Sequence, residues 1–207
     1  MAPCDGMESW REAVWRSVPE EALPERFAPR RAFLLANVRA GNTVLDLGAG
    51  NGAFAEELLA AGCEVVAIDV AEEALRRARA RAPGLDTRHV AEGAPLPLAE
   101  DAVDVVWAGE VFEHVADLVG LLAEVRRVLR WGGTLLVTTP YHGRLALALM
   151  ALRGGLEDHF DPRADHLRFF TTSSLRAVLA DAGFADVSVH ADGGLPALRR
   201  SLFAVAR

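Results

Sequence analysis

The chain lacks the features that mark secreted, membrane-spanning and disulfide-stabilised proteins. Its two cysteines, Cys4 and Cys63, are too few for a disulfide framework, and Cys63 opens an apolar strand as a small core residue. The longest unbroken apolar run covers only residues 145–152, whereas a helix that spans a bilayer needs roughly 20 apolar residues. The sequence begins with neither a basic segment nor an apolar run, so no signal peptide is indicated. We therefore expect a cytoplasmic protein with no membrane span.

Basic residues are outnumbered and scattered along the chain. Lys and Arg total 22 against 29 Asp and Glu, which gives a formal net charge of −7, and no basic block dominates. Because tight nucleic-acid binding depends on neutralising phosphates, this balance argues against a nucleic-acid partner. The 207 residues are enough to bury roughly 70% of the surface that the unfolded chain exposes. The oligomeric state stays open at this point.

A glycine-rich turn organises the rest of the chain. Residues 43–47 are predicted to form a short apolar strand, Gly48, Gly50 and Gly52 occupy alternate positions of the turn, and a helix follows over 52–61. Glycine lets the backbone turn sharply and approach a ligand closely, because no Cβ is present. The first N–H groups of the helix point toward whatever lies on the turn. This arrangement predicts the nucleoside-binding half of a doubly wound α/β domain.

Two acidic residues indicate which nucleoside to expect. Asp69 ends the neighbouring strand, 63–68, where a carboxylate can hold the two hydroxyls of a ribose. Asp46 lies two residues before Gly48 and suits an ammonium group better than a pyrophosphate. The glycine spacing is G-x-G-x-G, which differs from the G-x-G-x-x-G of dinucleotide-binding proteins. Both features count against a nicotinamide-dependent oxidoreductase.

The turn with Asp46 and Asp69 resembles motif I of the class I S-adenosylmethionine-dependent methyltransferases, and the resemblance extends from about Thr43 to the C-terminus. It implies an α/β fold with a doubly wound, Rossmann-like, seven-stranded sheet, whose last strand inserts antiparallel. S-adenosylmethionine is the implied cofactor and S-adenosylhomocysteine the product. In the segment after the third strand, the resemblance places Glu92 against the adenine amino group. The implied cofactor contacts are Asp46, Gly48, Ala49, Gly50, Asp69, Val70, Glu92, Gly93 and Gly109.

The alternation of strands and helices after Thr43 independently predicts a parallel sheet. The predicted strands are 43–47, 63–68, 86–91, 103–108, 134–139, 184–190 and 200–206, and the predicted helices are 52–61, 71–82, 117–130 and 172–182.

The first 40 residues are predicted to be a helical extension of the cofactor-binding domain, which we assign to residues 41–207. Helices are expected over 7–18 and from about 30 to 38, separated by Pro19, Pro24 and Pro29. We interpret Trp10 and Trp15 as packing in the core against the sheet. The alternative is that the leading helix closes over the substrate, as N-terminal helices do in the family that this chain resembles.

The stretch from about 140 to 170 interrupts the alternation after the fifth strand. It contains an apolar helix, 145–152, and then a loop rich in His, Asp and Phe. It follows the carboxyl end of a strand, which is the edge where open α/β proteins bind ligands. We interpret it as a lid insertion over an acceptor pocket, and the alternative is an insertion that packs on itself.

The segment from Glu110 to Val115 resembles the E-V-x-E-H-V element of small-molecule O-methyltransferases such as those of ubiquinone biosynthesis. The resemblance places it beyond the end of strand 103–108, toward which the transferred methyl group projects. His114 is the expected general base, because imidazole accepts protons at neutral pH. The catalytic candidates are His114, Glu110, His166 and His159. We therefore expect methyl transfer to a hydroxyl, in preference to an amine, of a small molecule in bacterial secondary metabolism.

Two alternatives remain. Glu110, Glu113, His114 and His166 also resemble the metal-ligand set of small-RNA 2′-O-methyltransferases, which implies a metal-dependent enzyme acting on RNA ribose. Two carboxylates suit Mg²⁺, whereas two imidazoles suit Mn²⁺, Fe²⁺ or Zn²⁺ equally well. The other alternative is a module that binds S-adenosylmethionine without turnover. We prefer catalysis without a metal on a small-molecule acceptor.

Overall fold

A computed structural model describes residues 10–154, 165–194 and 200–207. The chain divides into two compact units, Met1–Pro97 and Leu98–Arg207. The helices are α1 (Trp10–Ser17), α2 (Phe27–Ala36), α3 (Ala53–Ala60), α4 (Glu72–Arg81), α5 (Leu118–Val128), α6 (Arg144–Leu152) and α7 (Thr172–Asp181). The strands are β1 (Thr43–Leu47), β2 (Glu64–Asp69), β3 (Asp86–His89), β4 (Val103–Gly109), β5 (Leu129–Pro140), β6 (Val187–Asp192) and β7 (Ser201–Ala206). A 3-10 turn covers Phe112–His114.

The strand order is β3-β2-β1-β4-β5-β7-β6, which confirms the predicted seven-stranded α/β sheet. In the first unit, β1 and β2 pair parallel from Thr43 opposite Glu64, and β2 and β3 pair parallel from Val66 opposite Asp86. Parallel neighbours place their carboxyl ends at the same edge of the sheet. The glycine turn after β1 and the acidic end of β2 therefore lie side by side.

In the second unit, β4 and β5 are parallel, whereas β7 runs antiparallel to both β5 and β6. The predicted antiparallel insertion of the last strand is confirmed. The central strands are buried by apolar side chains on both faces, as Leu135, Leu136 and Val137 of β5 illustrate. Such continuous apolar runs are typical of sheets that are covered by other elements on each side.

Several predicted boundaries need correction. Pro29 lies in the first turn of α2 and does not separate two elements, because the first N–H groups of a helix need no partner within it. The fifth strand begins at Leu129, where a continuing helix was predicted. Leu129 pairs with Val103 and Thr134 with Val105, so the intervening residues of β5 bulge out around Trp131 and the glycines that follow it.

Helix α1 does not supply the core residues that the sequence suggested. It has no buried residue, Trp10 is half exposed, and the helix packs on α4. The prediction that Trp10 and Trp15 pack in the core against the sheet is therefore wrong. Cys63, by contrast, is buried as a small core residue, as predicted. No helix in the described ranges is both long enough and apolar enough to cross a bilayer.

Candidate functional site

The backbone of the turn after β1 explains its glycines. Gly48, Gly50 and Gly52 have φ values of +70°, +55° and +76°, a region that L-residues with a Cβ rarely adopt. The N–H groups of Gly48 and Ala49 donate to the carbonyl of Ile68 at 2.8 and 3.0 Å, which ties the turn to β2. A Cβ on Gly52 would lie 2.9 Å from Ala78, so this glycine also permits close packing against α4.

Asp69, at the end of β2, braces the same turn. Its Oδ2 accepts from the Gly50 N–H and its Oδ1 from the Ala71 N–H, both at 2.9 Å. Burial raises the pKa of Asp69, while hydrogen bonds from backbone N–H groups and the charge of Arg11 oppose that rise. Because each carboxylate oxygen can accept more than one hydrogen bond, ribose hydroxyls would share Asp69 with the backbone. Sequence reasoning did not anticipate this second, structural task.

Asp46 lies beneath the turn with its side chain fully buried. Burial, and next the neighbouring charge of Asp69, raise its pKa to about 7, whereas Arg30 and a backbone hydrogen bond from Ala55 lower it. Its Oδ2 has no hydrogen-bond donor among the described residues. A buried carboxylate with an unsatisfied oxygen is costly unless a cation or donor reaches it. The residues of the turn therefore fit a cofactor that carries an ammonium group.

The remaining predicted cofactor residues lie in two places. Val70 follows β2, and its carbonyl is 3.1 Å from His89 Nε2. Glu92 and Gly93 lie in an exposed turn after β3, where Gly93 has a φ of +75°. These three belong to the first unit together with Asp46, Asp69 and the glycine turn, whereas Gly109 ends β4 in the second unit.

In the second unit, Glu110 follows β4 with a φ of +59°, and its N–H donates to the Thr138 carbonyl at 2.8 Å. A non-glycine residue in this left-handed region is strained, and such strain persists only where the surroundings impose it. Glu110 thus turns the chain sharply from the strand into the 3-10 turn that carries His114.

The segment 165–168 docks onto that 3-10 turn. The N–H groups of Leu167 and Arg168 donate to the Glu113 carbonyl at 2.7 and 3.1 Å. The Arg168 guanidinium donates to the carbonyls of Val115 and Ala116. These contacts bring together two predicted catalytic residues distant in sequence, because the ring centroids of His114 and His166 lie 4.8 Å apart.

Asp165 is a site residue that the sequence analysis did not single out. Its Oδ2 lies 3.0 Å from His114 Nδ1, and its backbone carbonyl lies 3.1 Å from the same nitrogen. Both acceptors favour the tautomer with a proton on Nδ1, which leaves the lone pair on Nε2. The sequence feature that could have identified Asp165 is its position immediately before the predicted catalytic residue His166. The predicted catalytic residue His159 lies outside the described residues.

The same unit contains three side chains whose donor atoms could hold a metal. Glu113, His114 and His166 each offer one such atom, and these atoms lie within 4.8 Å of one another. Glu113 is buried, and its Oε2 accepts from the Thr139 hydroxyl at 3.0 Å. Two imidazoles and one carboxylate suit Zn²⁺, Fe²⁺ or Mn²⁺ better than Mg²⁺. Glu110, the fourth residue of the predicted set, is not part of this group.

Comparison with known proteins agrees with these features. A family model described as a methyltransferase domain matches residues 45–137. The chain is 34% identical over 169 residues to a "probable S-adenosylmethionine-dependent methyltransferase" of Mycobacterium tuberculosis, covering 82% of this chain and 55% of that protein. It is 33% identical over 154 residues to the ubiquinone biosynthesis O-methyltransferase of a Ruegeria species, covering 72% of this chain and 62% of that protein. The chain thus spans little more than half the length of these relatives.

The fold is shared with solved methyltransferase structures. One, from Haloferax volcanii, was solved in complex with a methyltransferase activator and aligns with a TM-score of 0.74 at 22% identity, covering 97% of this chain and 98% of that chain. At this identity the likeness concerns the fold. The matched domain, the two relatives and the shared fold together show that the chain belongs to the class I S-adenosylmethionine-dependent methyltransferases.

Proposed function

We propose that this protein transfers a methyl group from S-adenosylmethionine to a hydroxyl of a small molecule, with S-adenosylhomocysteine as the product. The observation that carries the proposal is the glycine turn after β1, with the buried Asp46 beneath it and Asp69 bonded to Gly50, in a chain of this family. A hydroxyl is preferred to an amine because it needs a base, and two imidazoles stand together in the second unit.

We assign the cofactor to residues around the turn. Asp46 would bind the ammonium group, Asp69 the ribose hydroxyls and Glu92 the adenine amino group. When bound, the cofactor supplies a methyl group already activated on a sulfonium. The chain therefore has to align the acceptor and take its proton. The other proposed cofactor contacts are Gly48, Ala49, Gly50, Val70, Gly93 and Gly109.

We assign the acceptor to the second unit, with His114 as the general base. Asp165 holds the Nδ1 proton of His114, so that Nε2 can take the proton of the acceptor hydroxyl. Asp165 then stabilises the imidazolium that forms. This is the logic by which a carboxylate orients a catalytic histidine in other enzymes. Glu110, His166 and His159 are the proposed acceptor contacts.

The names of the relatives support oxygen as the methylated atom, since one of them is an O-methyltransferase of ubiquinone biosynthesis. A small-molecule acceptor also agrees with the net charge of −7, which disfavours RNA. We place the acceptor among the hydroxylated products of bacterial secondary metabolism.

The proposal is tested first by calorimetric titration of the full chain with S-adenosylhomocysteine, for which we expect saturable binding near micromolar. Transfer of a labelled methyl group to a panel of small phenols and alcohols follows.

His114→Gln is expected to lower kcat by about 100-fold or more with little change in cofactor affinity. His190→Gln is the matched control, because His190 of β6 stacks on Phe203 of β7 and has no proposed role. Equal kcat values for the two variants would contradict the assignment of the base.

A second candidate is a metal-dependent transfer to the 2′-hydroxyl of RNA ribose, and the grouping of Glu113, His114 and His166 favours it. It predicts that dialysis against a chelator abolishes methyl transfer and that Mn²⁺ or Zn²⁺ restores it. Methyl transfer that survives the chelator would support the small-molecule mechanism without a metal. Binding of S-adenosylhomocysteine with no transfer to either class of acceptor would favour a non-catalytic module.

A further inference from the structure

Helix α1 lies directly on the glycine turn of the first unit. The Cζ2 and Cη2 atoms of Trp15 stand 2.8 Å from the position that a Cβ on Gly50 would occupy. The edge of the indole thus fills the space that the glycine leaves, at the centre of the turn to which we assign the cofactor. Trp15 itself is only partly buried.

Polar contacts hold α1 in this place. The Glu12 carboxylate accepts from the N–H groups of Glu72 and Glu73 at 2.5 and 3.1 Å, so it caps the start of α4. Helix α4 lacks a cap of its own, because its N-cap residue is Ala71. Uncapped N–H groups at a helix start need such an acceptor. The orientation of α1 is therefore fixed by the helix that follows β2.

A second set of contacts holds the end of α1. The Arg77 guanidinium donates to the Val18 carbonyl at 2.8 Å and lies over the ring of Trp15, 6.0 Å from its centroid. Arg77 is itself buried and paired with Glu73 at 2.8 Å. The indole is thus positioned by a side chain that is rigidly held.

Arg11 precedes Trp15 by four residues and therefore lies on the same face of α1. It is close enough to Asp69 for its charge to act on that carboxylate. Because Asp69 Oδ2 accepts from Gly50, the face of α1 that carries Trp15 lies on one member of the hydrogen-bonded pair at the centre of the turn. Helix α1, near the start of the first unit, thus packs against the proposed cofactor site.

We propose that α1 is a wall of the cofactor site, with Trp15 as a residue that contacts the bound nucleoside or its thioether side chain. The inference rests on the proposed function, because it takes the glycine turn to be where the cofactor binds. It assigns to α1 a role in cofactor binding, in place of a role in closing over the acceptor. Trp15 buries apolar surface of the ligand.

The test is calorimetric titration of the full chain and its variants with S-adenosylhomocysteine. Trp15→Ala is expected to weaken binding about tenfold, which is the effect of losing one well-packed aromatic contact. Trp15→Phe is expected to weaken it less than threefold. Trp10→Ala is the matched control, because Trp10 lies on the same helix with half of its side chain exposed, and it should bind like the parent chain.

The outcomes separate this inference from the proposed function. Absence of binding by the parent chain would contradict the proposed function, and the inference with it. Parent-like binding by Trp15→Ala would overturn the inference and leave the proposed function intact. Tighter binding by Trp15→Ala would also overturn it, because Trp15 would then compete with the cofactor for the turn. Circular dichroism shows whether Trp15→Ala folds. If it does not, Trp15→Phe tests the inference by tryptophan fluorescence. The fluorescence change that S-adenosylhomocysteine induces in the parent chain should then be largely lost in Trp15→Phe.

Discussion

At the scale of single residues, Asp46 shows how burial and a neighbouring like charge act together on the pKa of one carboxyl. The carboxyl has its ordinary pKa near 3.8 in the unfolded chain, whereas burial and then the charge of Asp69 raise it to about 7 in the folded chain. Between these two values the folded chain binds the proton more tightly than the unfolded chain. This contribution to stability is full below pH 4 and is lost as the pH rises through 7.

We predict that the free energy of unfolding of the parent chain falls by about 2–3 kcal/mol between pH 5 and pH 8 through Asp46. Burial also raises the pKa of Asp69, so that residue acts in the same direction. Asp46→Asn removes the titrating group. Between pH 5 and pH 8 its free energy of unfolding is therefore expected to fall by about 2–3 kcal/mol less than that of the parent chain. Urea unfolding of both proteins at the two pH values measures the difference, and parallel pH dependences would contradict the assignment.

At the scale of elements, the contact between α1 and the glycine turn makes a prediction about stability. Gly50→Ala combines a left-handed backbone with an overlap with Trp15, whereas Gly132→Ala has a similar φ of +75° and nothing within 4 Å of the new Cβ. Backbone strain alone costs about 1 kcal/mol. We expect Gly132→Ala to lose about that amount and Gly50→Ala at least about 2 kcal/mol, because overpacking adds to strain.

A double-mutant cycle isolates the contact. In the Trp15→Ala background, the loss of stability from Gly50→Ala should fall to about the 1 kcal/mol of backbone strain. Thermal and urea unfolding of the four proteins supply the free energies. Additive effects of the two substitutions would mean that α1 does not rest on the turn in solution.

The helix ends show why some elements could be predicted and others could not. Helix α7 begins after hydroxyl residues, which are a local signal of a helix start, and Thr171 is its N-cap in a capping box with Ser174. Helix α4 has Ala71 at the same position and takes its cap from Glu12, about 60 residues earlier in the sequence. A cap that comes from another helix leaves no local pattern to read. The early start of β5 likewise depends on its pairing with β4.

At the scale of the whole molecule, cofactor binding should stabilise the folded chain. A ligand that binds only the folded state at 100 times its Kd adds about 2.7 kcal/mol. For a chain of this length we predict that S-adenosylhomocysteine raises Tm by about 5–10 °C in differential scanning calorimetry. NAD⁺ at the same concentration is the control and should leave Tm unchanged. A shift with NAD⁺ but none with S-adenosylhomocysteine would contradict the assignment of the glycine turn.

The antiparallel last strand was expected from the resemblance to the methyltransferase family, whereas the sequence by itself determined the α/β class, the glycine turn and the acidic ends of β1 and β2. These features follow from local patterns, namely apolar periodicity, glycine at positions of positive φ and acids at strand ends. Only the tertiary structure decided that Asp69 bonds to Gly50, that Asp165 orients His114 and that Trp15 rests on the turn. Each of these contacts joins segments that are far apart in the chain, so its partners are chosen by packing and by the need to satisfy buried polar groups. No local pattern encodes that choice.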